Sequence, residues 1–410
     1  MHCRTGISRS GFREADPTLS GEHETIGTTQ ASALPPFITI EEVDVFSKAV
    51  FPGKYIQGDG AFSELPSLIS LFGKKGLLLA SRSAKNTVLP KCGIDLSTRS
   101  ITVEQFRGEC CEDEVSRVSA IVAKEQVDVL IGMGGGKTID TAKIVADRAN
   151  IPVIIVPTIA ATDAPCSGCA VLYTTDGIFE SVYYQKTNPA AVLVDVGIIA
   201  EAPTRFLVAG MGDALATWFE ALSCHQTKSQ NECGGYGTAA GLHIAKLCYE
   251  TLLTYGVAAK IACDMSIVTP AFERIVEANI LLSGLGFESA GLAAAHAIHN
   301  GLTALAETHA FYHGEKVAFG VLAGLQLTDA PMDESETVFS FCKDVGLPTT
   351  LEDIGLGNAS RDMLMKAAEK ACAPEQSVHH EAGVITPRKV LNAMLAADAM
   401  GKARKHAGMR

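Results

Sequence analysis

Four histidines lie close together among small apolar residues in the stretch from Gly291 to Gly320. They are His296, His299, His309 and His313. An unpaired polar group in apolar surroundings costs roughly 1–3 kcal/mol, so buried imidazoles need partners. His296 and His299 share a helix face because they are three residues apart, whereas His296 and His313 meet only if the chain turns back near Glu307-Thr308. The cluster indicates a metal site or a proton relay; a hydrogen-bonded core histidine is the alternative for any one ring alone.

A carboxylate is needed to complete a metal site, and Asp213 in the segment 210–220 is the candidate. Histidine with a carboxylate and an open coordination position is typical of zinc. The glycines just before Asp213 predict a helix start, so a helix N-cap is the alternative role for this side chain. Spacing alone does not show that Asp213 and the histidines meet.

The run from Val129 to Asp140 has the pattern of a strand, a glycine turn and a helix. Bare amides at residues 134–136 would face an anion, and the helix N-terminus would add about half a positive charge. The run is not a P-loop, because Ile131 stands where a glycine is required, and it is not GxGxxG, because Lys137 replaces the third glycine. The pattern predicts a pyrophosphate cradle, with a tight turn that binds no ligand as the alternative.

The segment from Pro157 to Ser167 follows the next predicted strand. Ligands of open α/β sheets bind at the carboxyl ends of the strands, and the hydroxyls and single carboxylate of this segment suit a cofactor or a polyol. For Asp163 alone, a turn or helix cap is an equally good interpretation.

The elements that must position these residues alternate between strand and helix from Phe51 onward. Short apolar runs typical of buried parallel strands lie at 76–80, 101–106, 127–132, 151–156 and 191–196, and helical segments at 112–124 and 138–148. The segment 170–184 predicts a hairpin that turns at Thr175-Asp176-Gly177. Beyond Pro203 the patterns are helical. We expect an α/β domain with a doubly wound, Rossmann-like parallel sheet at 48–202 and an all-α domain at 203–410.

Composition restricts the class of protein. A net charge of −12 and a pI near 5.4 argue against a nucleic-acid partner, and no apolar run is long enough for a membrane span. The scattered cysteines indicate a reduced, cytoplasmic protein. Residues 1–47 are expected to form a poorly ordered extension, with a transit peptide as the alternative and a signal peptide excluded for want of an apolar core.

Six blocks of the sequence, in this order, resemble the glycerol dehydrogenase family within the iron-type alcohol dehydrogenase superfamily. They are PGKYIQG, GGGKTIDTAK, PTIAATDAPCS, GDALATWFEA, GFESAGLAAAHAIHNGL and YHGEKVAFG. The resemblance implies the dehydroquinate synthase-like architecture, with the active site between an α/β and a helical domain. It implies metal ligation by Asp213, His296 and His313, and contact of Asp163 with the substrate. The positions matched to the nicotinamide cofactor are Ser81, Gly136, Lys137, Asp140, Thr158, Ala161, Ser167, Cys169 and Tyr173.

The resemblance also implies the reaction. Glycerol would be oxidised to dihydroxyacetone, with hydride passing from the metal-activated alcohol to NAD, one Zn²⁺ per subunit, and a homo-oligomer that in this family is often an octamer. Asp163 and His299 are the catalytic candidates, His299 as a proton relay. The family usually has an acidic residue where Ser81 stands, followed here by Arg82, so use of NADP is predicted as well. The alternatives are a related enzyme acting on another 1,2-diol or hydroxyketone, a zinc-dependent lyase or hydrolase, and a catalytically silent assembly protein.

Overall fold

The computed structural model describes residues 46–93 and 100–407. These residues belong to one compact unit. The predicted extension at 1–47 lies almost wholly outside the described residues, and its predicted poor order stays a prediction.

The described residues form a β-rich first part and a helical second part. The strands are β1 (Tyr55–Gly58), β2 (Gly76–Ala80), β3 (Ile101–Gln105), β4 (Val129–Gly134), β5 (Val153–Pro157), β6 (Cys169–Tyr173), β7 (Phe179–Tyr184) and β8 (Ala191–Asp195). The helices are α1 (Leu65–Phe72), α2 (Glu112–Glu125), α3 (Gly136–Ala149), α4 (Val196–Ala200), α5 (Thr204–Thr227), α6 (Ala239–Asp264), α7 (Pro270–Glu277), α8 (Ser283–Ala290), α9 (Ala294–Leu302), α10 (His313–Leu327), α11 (Met332–Val345), α12 (Arg361–Ala371) and α13 (Pro387–Ala407).

A six-stranded sheet with the order β1-β8-β5-β4-β2-β3 is parallel at every pairing. Its central strands are buried on both faces because alternate residues enter different cores: Leu77 and Leu79 pack with α2 and α3, whereas Leu78 packs with α1. The predicted doubly wound parallel sheet is confirmed. The carboxyl ends of β2, β4 and β5 therefore lie side by side.

Two predicted strands, at 127 and 151, begin two residues too early. The amide of Val127 donates to the carbonyl of Val122 and that of Ile151 to the carbonyl of Ala146, each at 3.0 Å. These bonds close the C-termini of α2 and α3 after a left-handed residue, so both apolar side chains finish a helix before the strand begins.

The predicted hairpin is confirmed as the antiparallel pair β6–β7, and its turn contains Gly177 at φ +79°. Beyond Thr204 the described residues contain helices and turns, with two isolated bridges that join Tyr236 to Gln230 and to Ser47, so the predicted helical second half is also confirmed. The domain boundary at residue 202 stays a prediction. In the described part of the chain, no single helix is long and apolar enough to cross a membrane.

Candidate active site

Three helices bring together the three side chains that the sequence analysis matched to a metal. Asp213 lies on α5, His296 on α9 and His313 at the start of α10, and one ligand atom from each lies within 4.8 Å of the others. The chain reverses between α9 and α10 through a short 3₁₀ turn at Ala306–Thr308, as the Glu307-Thr308 pair predicted. Asp213 and His296 are buried, whereas 38% of the His313 side chain is exposed, so the cluster opens to one side.

The predicted helix start before Asp213 is wrong, because α5 already begins at Thr204. The glycines that suggested a start instead allow two close approaches. A Cβ on Gly210 would lie 2.0 Å from the carbonyl oxygen of Ala160, and one on Gly212 would lie 2.3 Å from that of Gly314. Asp213 is therefore inside a helix that packs closely against α10, and an N-cap role is excluded.

The donor set fits a divalent cation. Asp213 Oδ1 lies 3.0 Å from His313 Nε2 and 3.4 Å from His296 Nε2, yet among the described residues it accepts no hydrogen bond. A buried carboxylate oxygen without a partner is costly, and a cation would satisfy it. Burial raises the pKa of Asp213, but His313 and His296 more than offset this effect and hold the pKa well below its usual value. One carboxylate and two imidazoles are a ligand set typical of zinc with an open position.

Glu220 orients His296 from the next turns of α5. Its Oε2 accepts a 2.6 Å hydrogen bond from His296 Nδ1, and its Oε1 accepts 2.9 Å bonds from the amides of Ala293 and His296. Since a carboxylate only accepts, the ring proton lies on Nδ1 and Nε2 is free to bind a cation. Burial lowers the pKa of His296, but Glu220 and Asp213 raise it by more, so that the net pKa lies well above the usual value and a cation that binds Nε2 would displace a proton from it.

His299 lies behind His313. Its Nε2 is 3.1 Å from His313 Nδ1, and its Nδ1 is 3.1 Å from Asn300 Oδ1. Burial lowers the pKa of His299 well below its usual value, and His313 lowers it further, so the ring is neutral. A neutral ring that accepts at Nε2 and donates to Asn300 fixes His313 with its proton on Nδ1 and its lone pair on Nε2. This geometry favours an orienting role, and the predicted proton relay stays a prediction.

The glycine turn lies at the carboxyl edge of the sheet, at the N-terminus of α3. No side chain in the described residues caps this helix end, and no described heavy atom outside the neighbouring residues and the backbone of the helix itself lies within 4 Å of the place that a Cβ of Gly136 would take. The amide of Thr158 donates to the Gly134 carbonyl at 3.1 Å, and a Cβ on Gly134 would lie 2.9 Å from the Cβ of Ser81. The predicted cofactor positions Ser81, Gly136 and Thr158 thus surround one open, amide-lined end of a helix, which fits a phosphate group.

Other predicted cofactor positions lie on the hairpin side of α3. The ammonium of Lys137 pairs with Glu109 at 2.5 Å and lies 4.8 Å from the ring centroid of Tyr173. Asp140 is buried; its Oδ2 accepts from the amide of Val171 at 3.1 Å, while Oδ1 has no partner among the described residues. Burial raises the pKa of Asp140 to about 6. An unpartnered buried carboxylate oxygen beside Tyr173 fits a contact with a ligand.

Two predicted cofactor positions place their side chains elsewhere. Ser167 is fully buried, and its hydroxyl lies 3.2 Å from the ammonium of Lys143. The Cys169 carbonyl accepts from the same ammonium at 2.9 Å, and burial raises the pKa of its thiol to about 12. Ala161 is half-buried and lies between Thr158 and Ser167 in the sequence.

Asp163 is buried close to the metal ligands. Its amide donates to Asp213 Oδ2 at 3.3 Å, and its own Oδ2 accepts a 2.8 Å hydrogen bond from the hydroxyl of Ser283. It precedes a short 3₁₀ turn, but its side chain does not cap that turn, so the cap interpretation is not supported. Burial raises the pKa of Asp163 well above its usual value, as does the neighbouring Asp213.

Comparisons with known proteins show the family to which the chain belongs. Residues 52–196 match the family model described as iron-containing alcohol dehydrogenase. A glycerol dehydrogenase from Thermotoga maritima is 52% identical over 363 residues, which cover 88% of this chain and 100% of that protein. The chain belongs to the glycerol dehydrogenase family. A Pseudomonas putida glycerol dehydrogenase is 46% identical over 358 residues, covering 86% and 97% of the two chains. The crystal structure of a probable glycerol dehydrogenase from Sinorhizobium meliloti superposes with a TM-score of 0.82 at 44% identity, covering 87% of this chain and 99% of that one.

Three residues of this glycerol dehydrogenase family member contribute to the site without having been predicted from the sequence. Glu220 lies seven residues after Asp213, two turns along one helix face, and this spacing would have indicated it had Asp213 been placed inside a helix. Lys143 and Ser283 have no comparable signal. Lys143 stands in an amphipathic helical segment, where a lysine is normally exposed, and Ser283 stands in an apolar helical pattern that predicts only a core position.

Proposed function

We propose that this protein is a metal-dependent glycerol dehydrogenase that oxidises glycerol to dihydroxyacetone with NAD, and also with NADP. The observation that carries the proposal is the unpartnered Oδ1 of Asp213 between His296 and His313, adjacent to the Asp163 backbone. A metal-binding group of side chains beside the carboxyl edge of a parallel sheet can serve an alcohol substrate and a dinucleotide cofactor in the same site. The membership in the glycerol dehydrogenase family supports glycerol as the substrate.

Each residue of the site has a proposed task. Asp213, His296 and His313 hold one Zn²⁺ per subunit, and Glu220 and His299 keep the two rings in the tautomer that offers Nε2. When bound, the cation would lower the pKa of a substrate hydroxyl and the nicotinamide would accept the hydride. Asp163 accepts a hydrogen bond from a neighbouring hydroxyl of glycerol, and the hydroxyl of Ser283 holds that carboxylate in place.

The cofactor is proposed to lie along the carboxyl edge of the sheet. The amides at the N-terminus of α3 receive its pyrophosphate, with Ser81 and Thr158 on one side. Lys137, Asp140 and Tyr173 form the other side, and Ala161, Ser167 and Cys169 contribute the backbone of the segment between β5 and β6. This placement holds the nicotinamide and the substrate next to each other, so that the reaction gains from orientation.

The remaining parts of the proposal concern the cell and the assembly. We infer a cytoplasmic enzyme that works as a homo-oligomer, by family resemblance an octamer. A related enzyme acting on another 1,2-diol or a hydroxyketone is the alternative. A lyase or hydrolase is disfavoured because the relatives compared above are dehydrogenases.

The decisive experiment measures oxidation of glycerol with NAD and with NADP before and after removal of metal by chelation. We expect activity to disappear with the metal and to return on addition of zinc. Metal analysis of the purified protein should find one ion per subunit. Full activity in metal-free protein would refute the proposal, and activity restricted to another diol would establish the alternative.

A further inference from the structure

Lys143 is among the largest fully buried side chains in the described part of the chain and takes no part in the proposed chemistry. It lies on α3, one turn beyond Asp140, and none of its surface is exposed. An isolated ammonium group is very costly to bury, so its surroundings must supply oxygen acceptors.

All the hydrogen-bond acceptors of Lys143 come from one short segment. Its Nζ donates to the carbonyl of Ala164, to the hydroxyl of Ser167 at 3.2 Å and to the carbonyl of Cys169 at 2.9 Å. In the described residues no carboxylate forms an ion pair with it. Two of the three acceptors are backbone carbonyls of the segment that begins directly after Asp163, and the carboxylates of Asp140, Asp163 and Glu288 lie near enough to interact with the charge.

This segment, residues 158–169, is referred to below as the substrate loop. From the helical side it is held by Asn279, which donates to the Ala160 carbonyl at 3.0 Å, and by Glu288, which accepts from the Gly168 amide at 2.7 Å. Lys143 holds it from the sheet side, and it does so from the helix whose N-terminus forms the glycine turn. The same side chain thus connects the proposed phosphate cradle with the backbone on which Asp163 stands.

We propose that Lys143 is a positioning residue that sets Asp163 relative to the cofactor cradle. The expected effect on kinetics rests on the proposed function. The contacts of Lys143 with the substrate loop do not depend on the identity of the substrate. Removal of the ammonium takes a donor from two backbone carbonyls and a hydroxyl. The single hydroxyl proton of Ser167 can serve only one of the two carbonyls, that of Ala164 at 3.1 Å or that of Cys169 at 3.4 Å, so the substrate loop shifts to satisfy the other. A displacement of about 1 Å between reacting groups lowers turnover on the order of a hundredfold.

The test uses Lys143→Met, Lys143→Arg and a matched control, Lys75→Met. Lys75 also donates its ammonium to a backbone carbonyl, that of Glu125, but lies at the amino end of β2, away from the site. In Lys143→Met we expect a raised KM for glycerol and a kcat/KM lowered on the order of a hundredfold. Metal content should stay as in the wild type, whereas the Kd for NAD should rise as well, because residues 158–169 also contribute to the proposed cofactor site. Lys143→Arg should restore part of the activity because it keeps the charge.

Hydrogen–deuterium exchange of peptides from residues 158–169, without substrate, gives a second readout. Exchange should rise in Lys143→Met and not in Lys75→Met. Wild-type exchange in Lys143→Met, or an unchanged kcat/KM for glycerol, would overturn the inference. If Lys143→Met does not fold, Lys143→Arg alone decides, because its longer side chain must displace the same loop and raise its exchange. A wild-type protein inactive on glycerol would refute the proposed function, while the exchange measurement would still test Lys143.

Discussion

Oε2 of Glu220 lies 2.6 Å from Nδ1 of His296, and this contact leaves Nε2 of the same ring facing Asp213. The hydrogen bond determines which nitrogen of the imidazole carries the proton. A carboxylate behind a ligating histidine commonly contributes about 10–100-fold to metal affinity.

Replacement of Glu220 with Gln should therefore weaken metal binding by about 10–100-fold. The glutamine side chain has one acceptor oxygen where glutamate has two. It therefore cannot accept from His296 Nδ1 with one terminal atom and from the Ala293 amide with the other. Titration of metal-free protein with zinc measures the change. Glu381→Gln is the matched control, because Glu381 also accepts from the first turn of α9, at the Ala294 amide, without touching a ligand. Equal zinc affinities for the Glu220 variant and the wild type would contradict the assignment.

His313→Ala should remove the metal and abolish turnover while cofactor binding stays measurable. The reason is that His313 offers one of the three proposed ligand atoms, whereas the proposed phosphate cradle lies at the N-terminus of α3. Elemental analysis and a fluorescence titration with NADH separate the two effects. His309→Ala, an exposed histidine four residues earlier, should retain both metal and activity. Turnover unchanged in His313→Ala would discard the ligand set.

Asp163→Asn should raise the KM for glycerol more than the Kd for the cofactor. Asparagine still accepts from Ser283, so the substrate loop keeps its position, but an amide nitrogen that only donates replaces the second carboxyl oxygen as a partner for the substrate hydroxyl. Steady-state kinetics with varied glycerol, together with a direct cofactor titration, measure both constants. A change confined to cofactor affinity would show that Asp163 contacts the dinucleotide instead.

Ser81→Asp should shift the enzyme toward NAD. Ser81 directly follows β2, where its hydroxyl accepts from the Ala84 amide at 3.2 Å, and Arg82 beside it is exposed. A carboxylate there would repel a 2′-phosphate, so kcat/KM with NADP should fall on the order of tenfold, about 1.4 kcal/mol. Ser81→Asn, neutral and of the same size, is the control. A wild type that already rejects NADP would end the argument for Ser81 and Arg82.

Asp140→Asn should stabilise the protein near neutral pH. Burial raises the pKa of Asp140 from 3.8 to about 6, so the folded state binds more protons than the unfolded state between these values. The free energy of unfolding of the wild type therefore falls relative to the variant as pH rises from about 4 to about 6, and the difference is constant above. We expect a difference of roughly 1–3 kcal/mol, measured by denaturant unfolding at several pH values. If the difference in the free energy of unfolding does not change with pH, ionisation of Asp140 does not destabilise the folded protein. A weaker cofactor affinity in the same variant would identify the function of the unpartnered oxygen.

Local pattern determined the elements of this protein well. The strand at 76–80 and the helix beginning at Glu112 have the predicted starts, because buried parallel strands and amphipathic helices are encoded by residues close in the chain. The ligand triad was assigned through family resemblance, since nothing in the spacing of Asp213 and the histidines brings them together. The error at Asp213 arose because Gly210 and Gly212 were interpreted as a helix start, whereas their lack of a side chain serves contacts with another loop and another helix.

Only the tertiary structure decided how the site is supported. The carboxylate of Glu220 matters because α9 packs against α5 with a ring proton in reach, and Lys143 matters because the substrate loop folds over α3 and offers it three oxygens. Hydrogen bonds of this kind join residues far apart in the chain and depend on distances of a few tenths of an ångström. Composition and periodicity indicate that a residue is buried. The hydrogen-bonding partner that offsets the cost of burying a polar residue depends on how the helices and strands pack.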